Sequence, residues 1–125
     1  MSTLSTANIT SKVANTPPVI KDVNGQEVGQ FARVWVSFDG DPVTIGNSFG
    51  ISSVTDTSTG QYTINFTTPF SDTNYAIVHG AIYSSGNGFF HSYYDISASS
   101  VTLLFVTSSS VYNDSAHVSA AFFGS

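Results

Sequence analysis

The sequence predicts an all-β fold: an antiparallel β-sandwich preceded by an extended N-terminal arm. Three observations carry this reading. Gln61-Tyr-Thr-Ile-Asn-Phe66 alternates polar with apolar residues, and the same period of two returns over 31–38, 75–83, 100–106 and 116–123. Successive side chains of a strand point to opposite faces, so this period describes sheets with one buried face. Turn residues punctuate the chain at intervals of roughly 8 to 12 residues, the spacing of an antiparallel sandwich or barrel. Finally, no apolar pattern recurs at helical spacing over a helix-length stretch.

The elements follow in order. Residues 1–23 are assigned to an arm and 24–125 to the sandwich. The first fifteen residues are polar, apart from Leu4, Ile9, Val13 and a few small residues. Ser, Thr and Asn compete with the helix backbone, and Pro17-Pro18 imposes extended geometry. An arm of this kind needs something to hold it, and Leu4, Ile9 and Val13 are its docking candidates. Val19–Val23 reads as a short strand and Asn24-Gly25 as its turn. Phe31–Phe38 is the strongest strand. Ala32, Val34, Val36 and Phe38 form its better core face, leaving Phe31, Arg33, Trp35 and Ser37 on the other. Asp39-Gly-Asp-Pro42 is a turn. Val43–Ile45 and Ile51–Val54 read as short strands around a loop over 46–50. Thr57–Gly60 turns into Gln61–Phe66. Tyr75–Ser84, Phe89–Asp95, Val101–Val106 and Ala116–Phe123 complete the set.

Three basic and eight acidic residues make 11 charged positions in 125, with a net charge of −5. About a quarter of residues would be usual. Duplex nucleic acid and anionic membranes draw affinity from clustered Lys and Arg, so neither is an expected partner. Without cysteine, a disulfide framework and a thiolate metal site are excluded. The first residues lack the basic start and apolar run of a signal peptide, which predicts synthesis in a cytoplasm. The sequons at Asn8, Asn65 and Asn113 are then without consequence.

No catalytic constellation is complete, and the expectation is a protein that is not an enzyme and uses no cofactor. The acids lie mostly in turns, and no nucleophile elbow is present. A zinc site would need His79, His91 and His117 to converge from three strands. The simpler alternative is three strand histidines, each bonded to a neighbour or facing a subunit contact, and no metal is expected. The segment 83–95 mixes aromatic residues with Gly, Asn and Ser, the ingredients of an adaptable recognition surface. Its candidate ligand-binding residues are Tyr83, Asn87, Phe90, His91, Tyr94 and Asp95. The other reading makes it a hairpin of core or subunit contacts. Candidates for subunit contact are Trp35, Phe89, Tyr93 and His117.

The run Phe31-Ala-Arg-Val-Trp-Val-Ser-Phe-Asp-Gly40 resembles the signature strand of small phage tail-fibre-like proteins. The likeness continues through Val43–Asp56, Thr59–Thr68 and Asp72–Val78. It departs at Gly46, where the family carries Arg, and at Gly50, where it carries Asn. The resemblance implies a virion structural protein with a jelly-roll sandwich similar to the H-type lectin module, assembled as a homotrimer beside other virion proteins. Its role would be a fibre or tail module attaching to a host surface or glycan. The alternative is a capsid decoration, or cement, protein that clamps major capsid subunits through its arm.

Overall fold

The computed structural model describes residues 3, 5–14, 17–83, 90–107 and 110–125. Among these the fold is all β, with ten strands and no helix. They are β1 (Val19–Lys21), β2 (Glu27–Gln30), β3 (Val34–Gly40), β4 (Val43–Phe49), β5 (Ile51–Ser58), β6 (Gln61–Phe66), β7 (Ala76–Ile82), β8 (Phe90–Tyr94), β9 (Ser100–Val106) and β10 (His117–Phe123). β1 and β2 form a separate hairpin. The other eight build two four-stranded antiparallel sheets, sheet I in the order β4-β3-β10-β7 and sheet II in the order β5-β6-β9-β8. The two sheets pack face to face as a β-sandwich, as the alternation predicts.

Inward positions from both sheets make one core. Val34, Val36 and Phe38 on β3 meet Val118, Ala120 and Phe122 on β10. Tyr62, Ile64 and Phe66 on β6 and Val101, Leu103 and Phe105 on β9 face them. The face of β3 chosen from sequence is therefore the buried one. At one end Phe66 packs edge-on against Phe70, Tyr75 and Phe122, with ring centroids 5.1 to 5.6 Å apart. At the other end Phe38 meets Tyr62 edge-on at 5.3 Å. Aromatic pairs favour these offset arrangements.

The Tyr62 hydroxyl ties the sheets together inside that core. It accepts the Ser115 N–H at 3.0 Å and lies 3.2 Å from both the Gly40 carbonyl and Asp114 Oδ1. Burial, and then Asp114, push this phenol well above its usual range, so it stays protonated. Asp114 also accepts the Gly60 N–H at 2.7 Å. Gly40 is the residue that permits this approach. A Cβ there would come within 2.5 Å of the Ser115 carbonyl and closer still to the Tyr62 hydroxyl.

Several boundaries differ from the sequence reading. β4 runs on through Gly46-Asn-Ser-Phe49, where a loop was expected, because pairing with β3 continues from Trp35 to Gly40 across a bulge. β5 extends to Ser58 for the same reason, with β6 as partner. β2 was not anticipated, and β1 ends at Lys21. Asn24 sits in the β1–β2 turn, held by the Asp22 carboxylate, which accepts the N–H groups of Asn24 and Gln26 at 2.8 and 2.9 Å. β7 spans only Ala76–Ile82. Gly50, at φ 73°, carries the chain from sheet I to sheet II. Glycine adopts that conformation without the penalty a Cβ would bring.

Candidate functional site

The outward side of sheet II is a polar lattice. Register places Thr55, Thr63, Thr102 and Tyr94 side by side across its four strands. The Thr63 hydroxyl lies 2.9 Å from those of both Thr57 and Thr102. Asn65 donates its amide to the hydroxyls of Ser53 at 3.0 Å and Thr55 at 3.1 Å. The Tyr94 hydroxyl donates to Gln61 Oε1 at 2.5 Å. Tyr94 is on β8 and Gln61 on β6, with β9 between them, so the tyrosine reaches across β9. Thr102 beneath is 3% exposed, while Tyr94 itself remains 44% exposed. The result is an aromatic platform fixed at its hydroxyl end and bordered by hydroxyls and amides. Phe90, two residues before Ser92 on the same outward side, is largely exposed.

Of the residues singled out for ligand contact, Phe90 and Tyr94 share this face, four positions apart on β8. His91 points to the inward side, level with Phe105. Asp95 follows β8 at φ 51° and is exposed. Tyr83 lies just past β7 and is half-buried. Asn87, Phe89 and the arm residue Leu4 fall outside the described residues. Gln61, Thr63 and Thr102 escaped the sequence reading. Their signal was present only as outward positions of alternating strands, and the Tyr94–Gln61 bond joins residues 33 apart.

β7 and β8 are the edges of the two sheets on the same side of the sandwich, and histidines meet at that mouth. His79 and His91 have ring centroids 4.6 Å apart, and Phe105 and Tyr93 lie 5.8 and 6.3 Å from His79. Burial, and then the neighbouring His91, lower the His79 pKa to about 4. The imidazole is neutral at pH 7. Its Nδ1 is buried without a hydrogen-bond partner. His117 is elsewhere, on the outward side of sheet I. Its Nδ1 lies 3.0 Å from Asp39 Oδ1 and its Nε2 3.1 Å from Ser37 Oγ. The three histidines therefore do not converge within one protomer, and among the described residues no three His, Cys, Asp or Glu cluster as metal ligands. Tyr93 stands at the mouth, away from Trp35 and His117.

The outward side of sheet I carries an exposed apolar row beside a polar one. Register aligns Phe49, Trp35, Ala121 and Val78 in one row from edge to edge. The next row is Asn47, Ser37, Ser119 and Gly80. Phe49, Trp35 and Val78 are 62%, 37% and 63% exposed. Phe49 also borders an open cleft of about 880 Å³ between the arm and the sandwich, with Ile9, Val13, Pro17 and Phe31 among its walls. Arg33 adjoins this cleft, but its guanidinium is committed: it donates to the Pro69 carbonyl at 2.7 Å and sits 4.5 Å over the Phe70 ring.

No protein-family model and no curated protein matches the chain. Among solved structures it is similar to the phiAB6 tailspike, crystallised in complex with three-repeated oligosaccharides of Acinetobacter baumannii surface polysaccharide. The TM-score is 0.48 and the identity 18%, over 98% of this chain and 31% of the tailspike chain. No helix among the described residues is long and apolar enough to cross a membrane.

Proposed function

We propose that this chain is a non-enzymatic structural module of a bacteriophage virion, of tail or fibre type, that attaches to a neutral glycan on the host surface as a homotrimer. The observation that carries the reading is the Tyr94 platform, anchored to Gln61 within a lattice of hydroxyls and amides. Sugars present apolar ring faces together with many hydroxyls. A fixed aromatic face bordered by neutral donors and acceptors suits both, and its rigidity limits the entropy lost on binding. The sequence resemblance over about residues 17–83 supports the phage context. Threefold repetition raises the avidity of a weak site, by roughly 10²- to 10⁴-fold for linked sites.

The test is titration of the protein with purified neutral capsular polysaccharide from a susceptible host, beside an acidic one. Tyr94→Ala is expected to weaken binding about tenfold or more, the factor that about 1.4 kcal/mol gives. Tyr94→Phe keeps the ring, loses its anchor and falls in between. Equal affinity for wild type and Tyr94→Ala contradicts the site.

A second reading has an observation of its own. Ile9 and Val13 remain 60% and 62% exposed beside the cleft. Apolar side chains on an arm suit a clamp between capsid subunits, the cement role. Copies per virion, counted by quantitative mass spectrometry, separate the two. A number comparable to the major capsid protein means cement, and a handful per particle means fibre.

A further inference from the structure

Two adjacent rows on the outward side of sheet I differ in height. Phe49, Trp35 and Val78 stand up as a ridge, dipping only at Ala121. Beside it Ser37, Ser119 and Gly80 form a trough. The rows lie two residues apart along each strand, roughly 6.6 Å. At Gly80 the trough is deepest, and a Cβ built there meets nothing within 4 Å. Neither row contains an ionisable group, although the chain as a whole carries −5.

We infer that this face is the self-association surface of the protein, with the occupant of each trough being the ridge of another copy of the same chain. The inference rests on the oligomeric reading above and gives it a location. Two features select a second copy over an unrelated partner. Ridge and trough lie side by side on one face, so the ridge of one copy can enter the trough of the next, a head-to-tail contact of the kind that closes a ring. Like molecules of net negative charge meet here without bringing like charges together, which elsewhere on the surface would oppose association. The ionisable groups flanking the two rows are already engaged within the protomer: Asp39 and His117 contact each other at 3.0 Å, and the Arg33 guanidinium donates to the Pro69 carbonyl. Exposed apolar area of this kind, rimmed by polar residues, marks interaction surfaces. Trp35 is the central anchor, as buried Trp commonly is in protein contacts.

Gly80 gives a probe that spares the fold. Its backbone is ordinary strand and its missing side chain has open space, so Gly80→Arg fits the protomer and fills the trough only against a neighbour. Sedimentation equilibrium of the full chain is expected to give a trimer of 13.2 kDa protomers for wild type. For Gly80→Arg it is expected to give a monomer with an unchanged far-ultraviolet circular dichroism spectrum. Val78→Asp is expected to act likewise. Trimers of both variants as tight as wild type would overturn the assignment of this face while leaving the oligomer in place. A wild-type chain that stays monomeric at the highest soluble concentration would overturn the oligomeric reading itself.

Discussion

The outward sides of sheet I and sheet II are built on the same alternation, yet their side chains behave in opposite ways. On sheet II polar outward residues are partnered with each other, while Phe90 stands exposed. Thr63 joins Thr57 and Thr102, Asn65 joins Ser53 and Thr55, and Tyr94 joins Gln61. On sheet I the row Phe49-Trp35-Ala121-Val78 has apolar neighbours and water above it. A satisfied polar surface gains little through its hydrogen bonds from any partner, so a glycan there gains chiefly by stacking on the exposed Tyr94 ring. An apolar row gains from every contact that excludes water. One sandwich therefore offers a face suited to polar ligands and a face suited to its own kind.

Both faces depend most heavily on the core that they share. Phe122 packs against Phe66 and Tyr75, linking sheet I to sheet II. Phe122→Ala is expected to cost about 3 to 5 kcal/mol. Urea unfolding followed by tryptophan emission and by circular dichroism should show one shared transition moved to lower denaturant. Two separated transitions would mean that the faces fold as independent units.

A smaller effect is expected at the mouth between the sheets. The His79 pKa lies near 4 in the folded chain against an ordinary value near 6.5, lowered first by burial and then by His91. The unfolded chain thus binds more protons between these values. The stability involved is fully present above pH 6.5 and is lost as pH falls towards 4. Thermal unfolding from pH 7 to pH 4 should drop more steeply for wild type than for His79→Leu. Parallel curves would contradict the burial of a neutral imidazole there.

The smallest expected effect sharpens the polar side. Thr63→Val removes the hydroxyl that serves both Thr57 and Thr102, at about 1 kcal/mol. Urea unfolding measures that loss, and adding Thr102→Val should recover part of it, since no buried hydroxyl is then left alone. Glycan affinity should change less than for Tyr94→Ala, because the platform survives. A larger loss from Thr63→Val would shift the site from the aromatic ring to the hydroxyl row.

What the sequence disclosed about these faces follows from the range of the interactions. Alternation is local, so Val34-Val36-Phe38 and Tyr62-Ile64-Phe66 announced the core directly. β4 was cut short because Gly46-Asn-Ser carries no apolar alternation, as suits an edge strand exposed on its outward side. β2, Glu-Val-Gly-Gln, has no pattern of its own and exists through pairing with β1. Trp35, Phe90 and Tyr94 were legible as outward aromatics. Their neighbours were not, because register decides them: Phe49, Ala121 and Val78 come from three other strands. His117 was named from its strand position alone, and its contact with Asp39, 78 residues away, depends on register.

Trp35, the single tryptophan of the chain, tests the division between the faces most directly. Its emission should be measured while the protein is diluted, and again while polysaccharide is added at fixed protein concentration. The account predicts a red shift on dilution, as the ridge leaves its neighbour's trough, and no shift on polysaccharide addition. Emission that ignores dilution but moves with polysaccharide would contradict it, placing the ligand on sheet I instead.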